Sequence, residues 1–239
     1  IYQILTIFSV QNQNRMSDSN PNDRYLISFL TLRRLVGILG MTLPFALLIG
    51  YFLFEKGCKF PPSISHFYYT DMGNVFVGIL CAVALFLFTY NGYDKRDMIA
   101  AKLAGSFALL VAMFPTNFGD YTPDECSRIT QGTNAFANAM HYGGAVLLFS
   151  TFAYFSLVLF TKSKQKGAIK GEKKTRNTIY KICGWVILVC IVAIALIGVV
   201  PGWYQALKHL KPTYVLETIA LLAFGYSWLI KGETFFKDE

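Results

Sequence analysis

Long runs of uncharged, mostly apolar residues alternate with short polar connections along most of the chain. A helix needs about 20 consecutive apolar residues to cross the ~30 Å hydrocarbon core of a bilayer. Six segments approach that length, and lipid offers no hydrogen-bond partners to an open backbone, so each is expected to be helical. The pattern therefore predicts an all-α, polytopic membrane protein built as a six-transmembrane-helix bundle. The predicted spans are about 35–54, 73–92, 101–118, 136–160, 181–200 and 213–230.

The connections define the predicted organisation. Residues 1–34 form an N-terminal segment, 35–231 the transmembrane domain, 161–180 a flexible basic loop and 232–239 a tail. The apolar stretch at 1–15 precedes Met16 and is interpreted as an extension; an interfacial anchor is the alternative. The fourth run is interpreted as one span, because its first part, ITQGTNAFAN, is too polar to cross lipid alone.

Charge distribution sets the predicted orientation. In the six-span scheme, 17 Lys and Arg residues fall on one side and 5 on the other. Basic residues concentrate in cytoplasmic loops, so both termini and the basic loop are expected in the cytoplasm. Only 15% of residues are charged and 54% are hydrophobic, whereas about 25% are charged in soluble domains.

The net charge of +8 is therefore interpreted as a topology signal and not as a sign of nucleic-acid binding. The basic loop is expected to contact anionic lipid headgroups. Membrane lipids are the expected partners, and small-residue helix faces also allow other membrane subunits or a second copy of the chain.

Two of the five cysteines, Cys58 and Cys126, fall in predicted extracytoplasmic loops. Oxidation is permitted on that side of the membrane. A Cys58–Cys126 disulfide is therefore predicted, and two unpaired loop thiols are the alternative.

The polar residues whose side chains could bind a ligand or a metal are predicted to lie in one layer near the extracytoplasmic mouth. His141 and Glu217 lie about a turn inside the fourth and sixth spans, where ionisable groups are costly and usually have a reason. His66 and Asp71 lie at the outer start of the second span. Four supporting polar residues could join them: Ser65, Tyr68, Asn134 and Asn138.

Three interpretations of this layer remain open. It can be a hydrogen-bonded network that fixes helix packing, a site for a ligand or lipid headgroup, or a metal site. His66, Asp71, His141 and Glu217 have the side chains that bind zinc, but no spacing such as HxxH or HExxH accompanies them. The expectation is therefore a protein without a cofactor, with zinc as the alternative.

Several short motifs carry a resemblance. The stretches PPSISHFYYTDMGNVF, YNGYDKRD, AMFPT and ETIALLAFGYSWLIKGE together resemble uncharacterised six-span bacterial integral membrane proteins. More distantly they resemble the DRAM-like family, whose first outer loop also carries a Pro, Ile-Ser element. The resemblance covers roughly residues 30–235 and implies six helices and a role in lipid handling or membrane trafficking. Its bacterial members also imply a location in a bacterial inner membrane. It implies no catalytic residues.

A second comparison is with the membrane hydrolases that include alkaline ceramidases, which use Ser, Asp and His around zinc on seven spans. Ser65, His66, Asp71 and His141 have those residue types. The His pair of the last span is absent, and only six spans are predicted, so the match is partial.

The absence of a complete catalytic motif favours a non-catalytic multi-pass membrane protein, lipid-associated or an accessory subunit of a membrane complex. A metal-dependent membrane lipid hydrolase is the first alternative, since a metal-bound water could act as nucleophile. A small-solute transporter or channel is the second.

Overall fold

The computed structural model describes residues 29–55, 58–92, 94–118, 121, 133–162 and 171–234. These residues form helices and connecting segments, and no strand occurs among them. The predictions for residues 1–15 and for most of the tail lie outside this part of the chain. The six long helices are α1 (Phe29–Phe54), α2 (Gly73–Thr89), α3 (Lys95–Met113), α4 (Ala135–Tyr154), α5 (Glu172–Val199) and α6 (Pro212–Lys231).

The helix ends follow local chemistry. Asp94 caps α3, where its side chain accepts hydrogen bonds from the backbone N–H groups of Arg96 and Asp97 at 2.9 and 3.0 Å. Asn134 caps α4 in the same way, through the N–H of Ala137 at 2.8 Å. Such caps satisfy donors that have no partner within the helix. Pro212 begins α6, a position where its missing N–H costs nothing.

Within the described residues, four helices are long and apolar enough to cross a membrane: Leu30–Phe54, Ala135–Leu159, Glu172–Val199 and Pro212–Lys231. The second of these includes a π-helical turn, Phe155–Leu159, that continues α4. Helix α2 is apolar but has only 17 residues. Helix α3 begins with Lys95, Arg96 and Asp97 and contains Lys102, so its apolar part is shorter than a bilayer requires.

The six long helices pack as a closed ring. Each contacts the next along the chain, and α6 returns to contact α1. Short connections run between α2 and α3 and between α5 and α6, so these neighbours are antiparallel. We name the two ends of the bundle by their buried polar residues. The His141 end contains the starts of α4 and α6, and the Asp97 end contains the starts of α1 and α3.

Aromatic side chains fill the interior towards the Asp97 end. The rings of Phe152 and Phe224 stack with centroids 3.6 Å apart, joining α4 to α6. Trp228 is completely buried, and its ring lies 5.3 Å from that of Tyr90 and 5.2 Å from that of Phe155. The edge-on contact between Tyr90 and Trp228 is of the kind that adds stability beyond the area it buries.

Charged groups cover the Asp97 end of this core. Lys162, at the end of α4, bridges the carboxylates of Asp94 and Asp97 at 2.8 and 2.9 Å. Arg34 donates hydrogen bonds to the carbonyl oxygens of Gly232 and Glu233 at 2.7 and 3.2 Å. Carbonyl groups at a helix C-terminus lack helical partners and attract cations, so Arg34 ties the end of α6 to the start of α1.

Two predicted boundaries differ from the structure. Residues 172–180, predicted as part of the basic loop, form the first turns of α5, because Arg176 and Tyr180 are buried and anchor those turns in the bundle. The third predicted span extends to 118, but α3 ends at Met113. Pro115 follows closely, and the residue before a proline disfavours helical geometry.

The cysteines divide into two groups. Cys81, Cys183 and Cys190 are free thiols within the long helices. Cys58 is not among the free thiols, and its predicted partner Cys126 lies outside the described residues. The Cys58–Cys126 disulfide therefore stays a prediction.

Two glycines that face each other allow the backbones of helices α1 and α6 to approach closely. A Cβ atom placed on Gly225 would lie 2.5 Å from the carbonyl oxygen of Gly37, and one on Gly37 would lie 2.8 Å from that of Gly225. Gly144 of α4 likewise approaches α3, whereas a Cβ on its neighbour Gly143 would meet nothing within 4 Å. Only one of these two adjacent glycines is therefore required for packing.

This difference predicts the effect of two alanine substitutions. Gly225→Ala would force the backbones of α1 and α6 apart and should destabilise the protein by roughly 1–3 kcal/mol. Gly143→Ala should be neutral or stabilise it by up to about 1 kcal/mol, because alanine favours helix more than glycine does. Thermal unfolding of both variants in the same detergent measures the difference. Equal Tm values for the two variants would contradict the close α1–α6 contact.

Candidate functional site

A short 3-10 helix, Ile64–Tyr69, closes the His141 end of the bundle. It follows Pro61-Pro62, and the Ser63 side chain caps it by accepting a hydrogen bond from the His66 N–H. Phe67 and Tyr69 are almost fully buried and anchor the segment between the helices. The segment thus behaves as a plug whose apolar side chains face the bundle.

Helix α6 holds the start of this plug. The backbone N–H of Ile64 donates a 2.7 Å hydrogen bond to the Glu217 carboxylate. One turn earlier, the Tyr214 N–H donates to the Pro62 carbonyl at 3.1 Å. Among the described residues no cation is paired with Glu217, whose carboxylate accepts the hydrogen bond from the Ile64 N–H.

Helix α4 holds the middle of the plug through a serine–histidine pair. His141 Nε2 lies 2.8 Å from Ser65 Oγ, and His141 Nδ1 lies 2.7 Å from the carbonyl oxygen of Phe114. A carbonyl can only accept, so Nδ1 carries the proton and Nε2 accepts from the serine hydroxyl. The neighbouring groups therefore determine the tautomer of His141.

A second serine–histidine pair lies beside the first. Ser63 Oγ is 2.5 Å from His66 Nδ1, and His66 Nε2 is 3.3 Å from the carbonyl oxygen of Phe118. Burial lowers the pKa of His66 to about 4, and the nearby His141 acts in the same direction. His66 is therefore neutral near pH 7, with Nε2 protonated.

Both pairs and Glu217 border one cavity of about 610 Å³. Such a volume lies within the range of small-molecule sites. The polar groups lie at one end, and the walls are supplied mainly by apolar residues of α4 and α5. Val146, Tyr142 and Val199 are wall residues that are more than half exposed on the bundle surface, so the cavity opens sideways. The apolar wall includes Ala145, Val146, Phe149, Ile191, Ile194 and Ala195.

The structure brings some of the predicted site residues together and separates others. His66, His141, Glu217 and Ser65 border the cavity. Asp71 does not: its side chain is exposed, and its backbone N–H donates to the buried carboxylate of Glu55 at 2.9 Å. Asp71 lies in the turn before α2 and does not line the cavity.

The other supporting residues have local roles or lie off the cavity. Asn134 caps α4, and Asn138 accepts a 2.8 Å hydrogen bond from the Asn117 N–H. Tyr68 does not border the cavity, and its ring contacts that of Tyr69. These residues shape the loops around the site.

Sequence reasoning missed three contributors: the Ser63 hydroxyl and the backbone carbonyls of Phe114 and Phe118. Ser63 could have been found, because a serine before a short helical turn is a typical cap. The two carbonyls have no sequence signal, since every residue has one. Glu55 was also missed; burial raises the pKa of this carboxyl group.

No group of three or more His, Cys, Asp or Glu side chains in the described residues is arranged to hold a metal ion. Both ring nitrogens of His66 and of His141 already lie near hydrogen-bond partners. A metal would have to displace one of those partners at each ring.

The low pKa of His66 predicts a pH dependence of stability. Its ordinary pKa is about 6.5, so between pH 6.5 and about 4 the unfolded chain binds a proton that the folded chain excludes. The free energy of unfolding should fall as the pH drops through this window, by roughly 3 kcal/mol at most. Tm measured at pH 7 and pH 4.5 tests this.

The matched variants are His66→Gln and His209→Gln, since His209 lies exposed on a loop. His66→Gln should lose less Tm on acidification than the unsubstituted chain, and His209→Gln should lose as much. An equal loss in all three proteins would show that His66 is not the group responsible.

Comparison with known proteins adds no assignment: no family model, no curated protein and no solved structure matches this chain.

Proposed function

We propose that this chain is a six-span membrane protein that binds a lipid, or a similar amphiphile, in the cavity at the His141 end. The observation that carries the proposal is the form of the cavity. It has a polar end made of serine, histidine and carboxylate groups, and an apolar wall that opens sideways. An amphiphile has the same division into a polar head and an apolar tail.

The polar end supports a preference among headgroups. Glu217 supplies the carboxylate there, without a cationic partner among the described residues, and a carboxylate in an apolar setting is stabilised by a nearby cation. Both histidine rings lie against carbonyl acceptors, and the nearby Lys211 ammonium donates to the Phe60 carbonyl. A head with an ammonium group, such as ethanolamine, therefore fits better than an anionic head.

The apolar wall supports a route from the bilayer. A lipid tail gains little by moving between hydrocarbon and an apolar wall, because the two environments are alike. Affinity must therefore come from the polar end. Sideways access between α4 and α5 lets the tail remain partly in the membrane while the head enters the cavity.

Membrane insertion with six spans is part of the proposal. Four helices are long and apolar enough alone. The ring packing of all six long helices supports α2 and α3 as the remaining spans, since each is flanked by neighbours within the bundle. The distribution of basic residues supports the His141 end as the extracytoplasmic side and the basic loop as cytoplasmic. Association with further membrane subunits, and the link to lipid-handling families, belong to the same proposal.

Lipid binding predicts a result for two tryptophan variants of α4. Ala145 borders the cavity, whereas Leu147 is exposed on the bundle surface and does not border it. Ala145→Trp should fill the cavity and abolish the retained lipid, whereas Leu147→Trp should keep it. The full chain is purified from bilayer nanodiscs and examined by native mass spectrometry for bound phosphatidylethanolamine. Equal lipid retention in the two variants would overturn the proposal.

The same measurement tests the headgroup preference. Glu217→Gln keeps an acceptor for the Ile64 N–H but removes the charge. Hydrogen bonds to charged groups contribute about 1.5–3 kcal/mol, so retention of phosphatidylethanolamine should fall about tenfold or more. Retention of phosphatidylglycerol should not fall. An equal loss of both lipids would assign Glu217 a packing role only.

Orientation is tested by cysteine labelling in intact cells. Lys208 and Lys174 are exposed at opposite ends of the bundle. A membrane-impermeant maleimide should label Lys208→Cys in intact cells, above the level of the unsubstituted chain. Lys174→Cys should be labelled only after permeabilisation. The reverse pattern, or labelling of both from outside, would contradict the proposed topology.

A further inference from the structure

We propose that Ser65 and His141 form a nucleophile–base pair that cleaves a carboxylic ester in an amphiphile bound in the cavity. This inference rests on the proposed lipid site and adds a chemical activity to it. The chemistry needs a serine hydroxyl, a neutral imidazole nitrogen to accept its proton, and a third group that orients the imidazole. All three are present around the plug.

The geometry matches that requirement. Ser65 Oγ lies 2.8 Å from His141 Nε2, within the distance that general-base catalysis requires. The Phe114 carbonyl, 2.7 Å from His141 Nδ1, holds the ring and fixes the proton on Nδ1. It takes the orienting role that a carboxylate plays in the familiar triad. An imidazole held in this tautomer presents its lone pair to the serine.

Ser65 is a better nucleophile candidate than Ser63. Ser63 caps its own helical turn, and its partner His66 lies only three residues away, so its hydroxyl has a local structural role. Ser65 bonds instead to a histidine 76 residues away in sequence, on a different helix. Both residues of the Ser65–His141 pair border the cavity, where a bound molecule can reach them.

The position of the pair also fits an ester. In a glycerolipid the ester groups lie between the polar head and the apolar tails. Ser65 and His141 lie at the polar end of the cavity, beside the apolar wall of α4 and α5. A lipid with its head near Glu217 and its tail between α4 and α5 would bring an ester close to Ser65. Asn117 and Thr213 also border this cavity and bring further polar groups to it.

The reaction has two steps. Ser65 Oγ bonds to the ester carbonyl carbon while His141 Nε2 takes the hydroxyl proton. The bond from that carbon to the alcohol oxygen then breaks, and Nε2 returns the proton to the departing alcohol, leaving an acyl ester on Ser65. In the second step water attacks the acyl carbon as Nε2 takes its proton. The bond between the acyl carbon and Ser65 Oγ then breaks, the acid leaves, and Nε2 returns the proton to Ser65 Oγ.

A covalent probe tests the nucleophile directly. The full chain in nanodiscs is treated with an alkyl fluorophosphonate, which modifies serines activated by a neighbouring base, and the adduct is located by peptide mass spectrometry. The expected adduct is on Ser65. It should disappear in Ser65→Ala, slow by about 100-fold or more in His141→Gln, and remain in Ser150→Ala, because Ser150 is exposed on α4 away from the cavity.

The outcomes separate the two proposals. An adduct on Ser65, with release of fatty acid from phosphatidylethanolamine that Ser65→Ala lacks, supports the inference. No adduct, or an adduct on Ser63 or Ser150, overturns it. If lipid is retained but Ser65 is unmodified, the pair is a packing contact and the lipid site stands. If Ser65 is modified but no lipid is retained, the lipid proposal fails and the reactive serine stands. Circular dichroism and Tm of each variant show that it has folded.

Discussion

Hydrogen bonds from two helices to one short segment hold the His141 end of this protein together. Glu217 of α6 accepts a hydrogen bond from the Ile64 N–H, and His141 of α4 accepts one from the Ser65 hydroxyl. A plug of irregular backbone packed between apolar helices must have its buried polar groups satisfied within the protein, because an unpaired buried polar group is costly. The rest of the site, including the cavity and its polar end, depends on these contacts.

The same contacts make the polar groups chemically distinct. His141 and His66 each have one nitrogen against a backbone carbonyl, so each ring is held in one tautomer and presents the other nitrogen to a serine. Glu217 satisfies a backbone donor with one oxygen and faces the cavity without a cation among the described residues. We propose that the groups that stabilise the plug also supply an acceptor for a headgroup and a base for a hydroxyl.

The opposite end of the bundle is organised by different forces. Aromatic rings around Trp228 fill the interior. At the surface of this end, Lys162 pairs with carboxylates, and Arg34 donates hydrogen bonds to carbonyl groups at the end of α6. Between the ends, the α1–α6 contact depends on Gly37 and Gly225, because any side chain there would meet backbone. A closely packed half therefore adjoins a half that contains a cavity.

Hydropathy located the six long helices of this protein, because long apolar runs must satisfy their own backbone groups, but it placed the starts of α3 and α5 too late along the chain. Residue type and position along the chain also predicted that His66, His141, Glu217 and Ser65 lie in one layer. Only the tertiary structure decided that Asp71 lies outside the cavity and that α5 starts within the predicted basic loop. It also showed that Asn134 caps α4 and that Asn138 accepts a hydrogen bond from the Asn117 N–H. The physical reason is that the positions of these side chains are set by contacts with backbone groups and with neighbouring helices. The carbonyls of Phe114 and Phe118 each hold one histidine ring in a single tautomer. Every residue has a carbonyl, so the sequence cannot show which ones are near a histidine until the chain has folded.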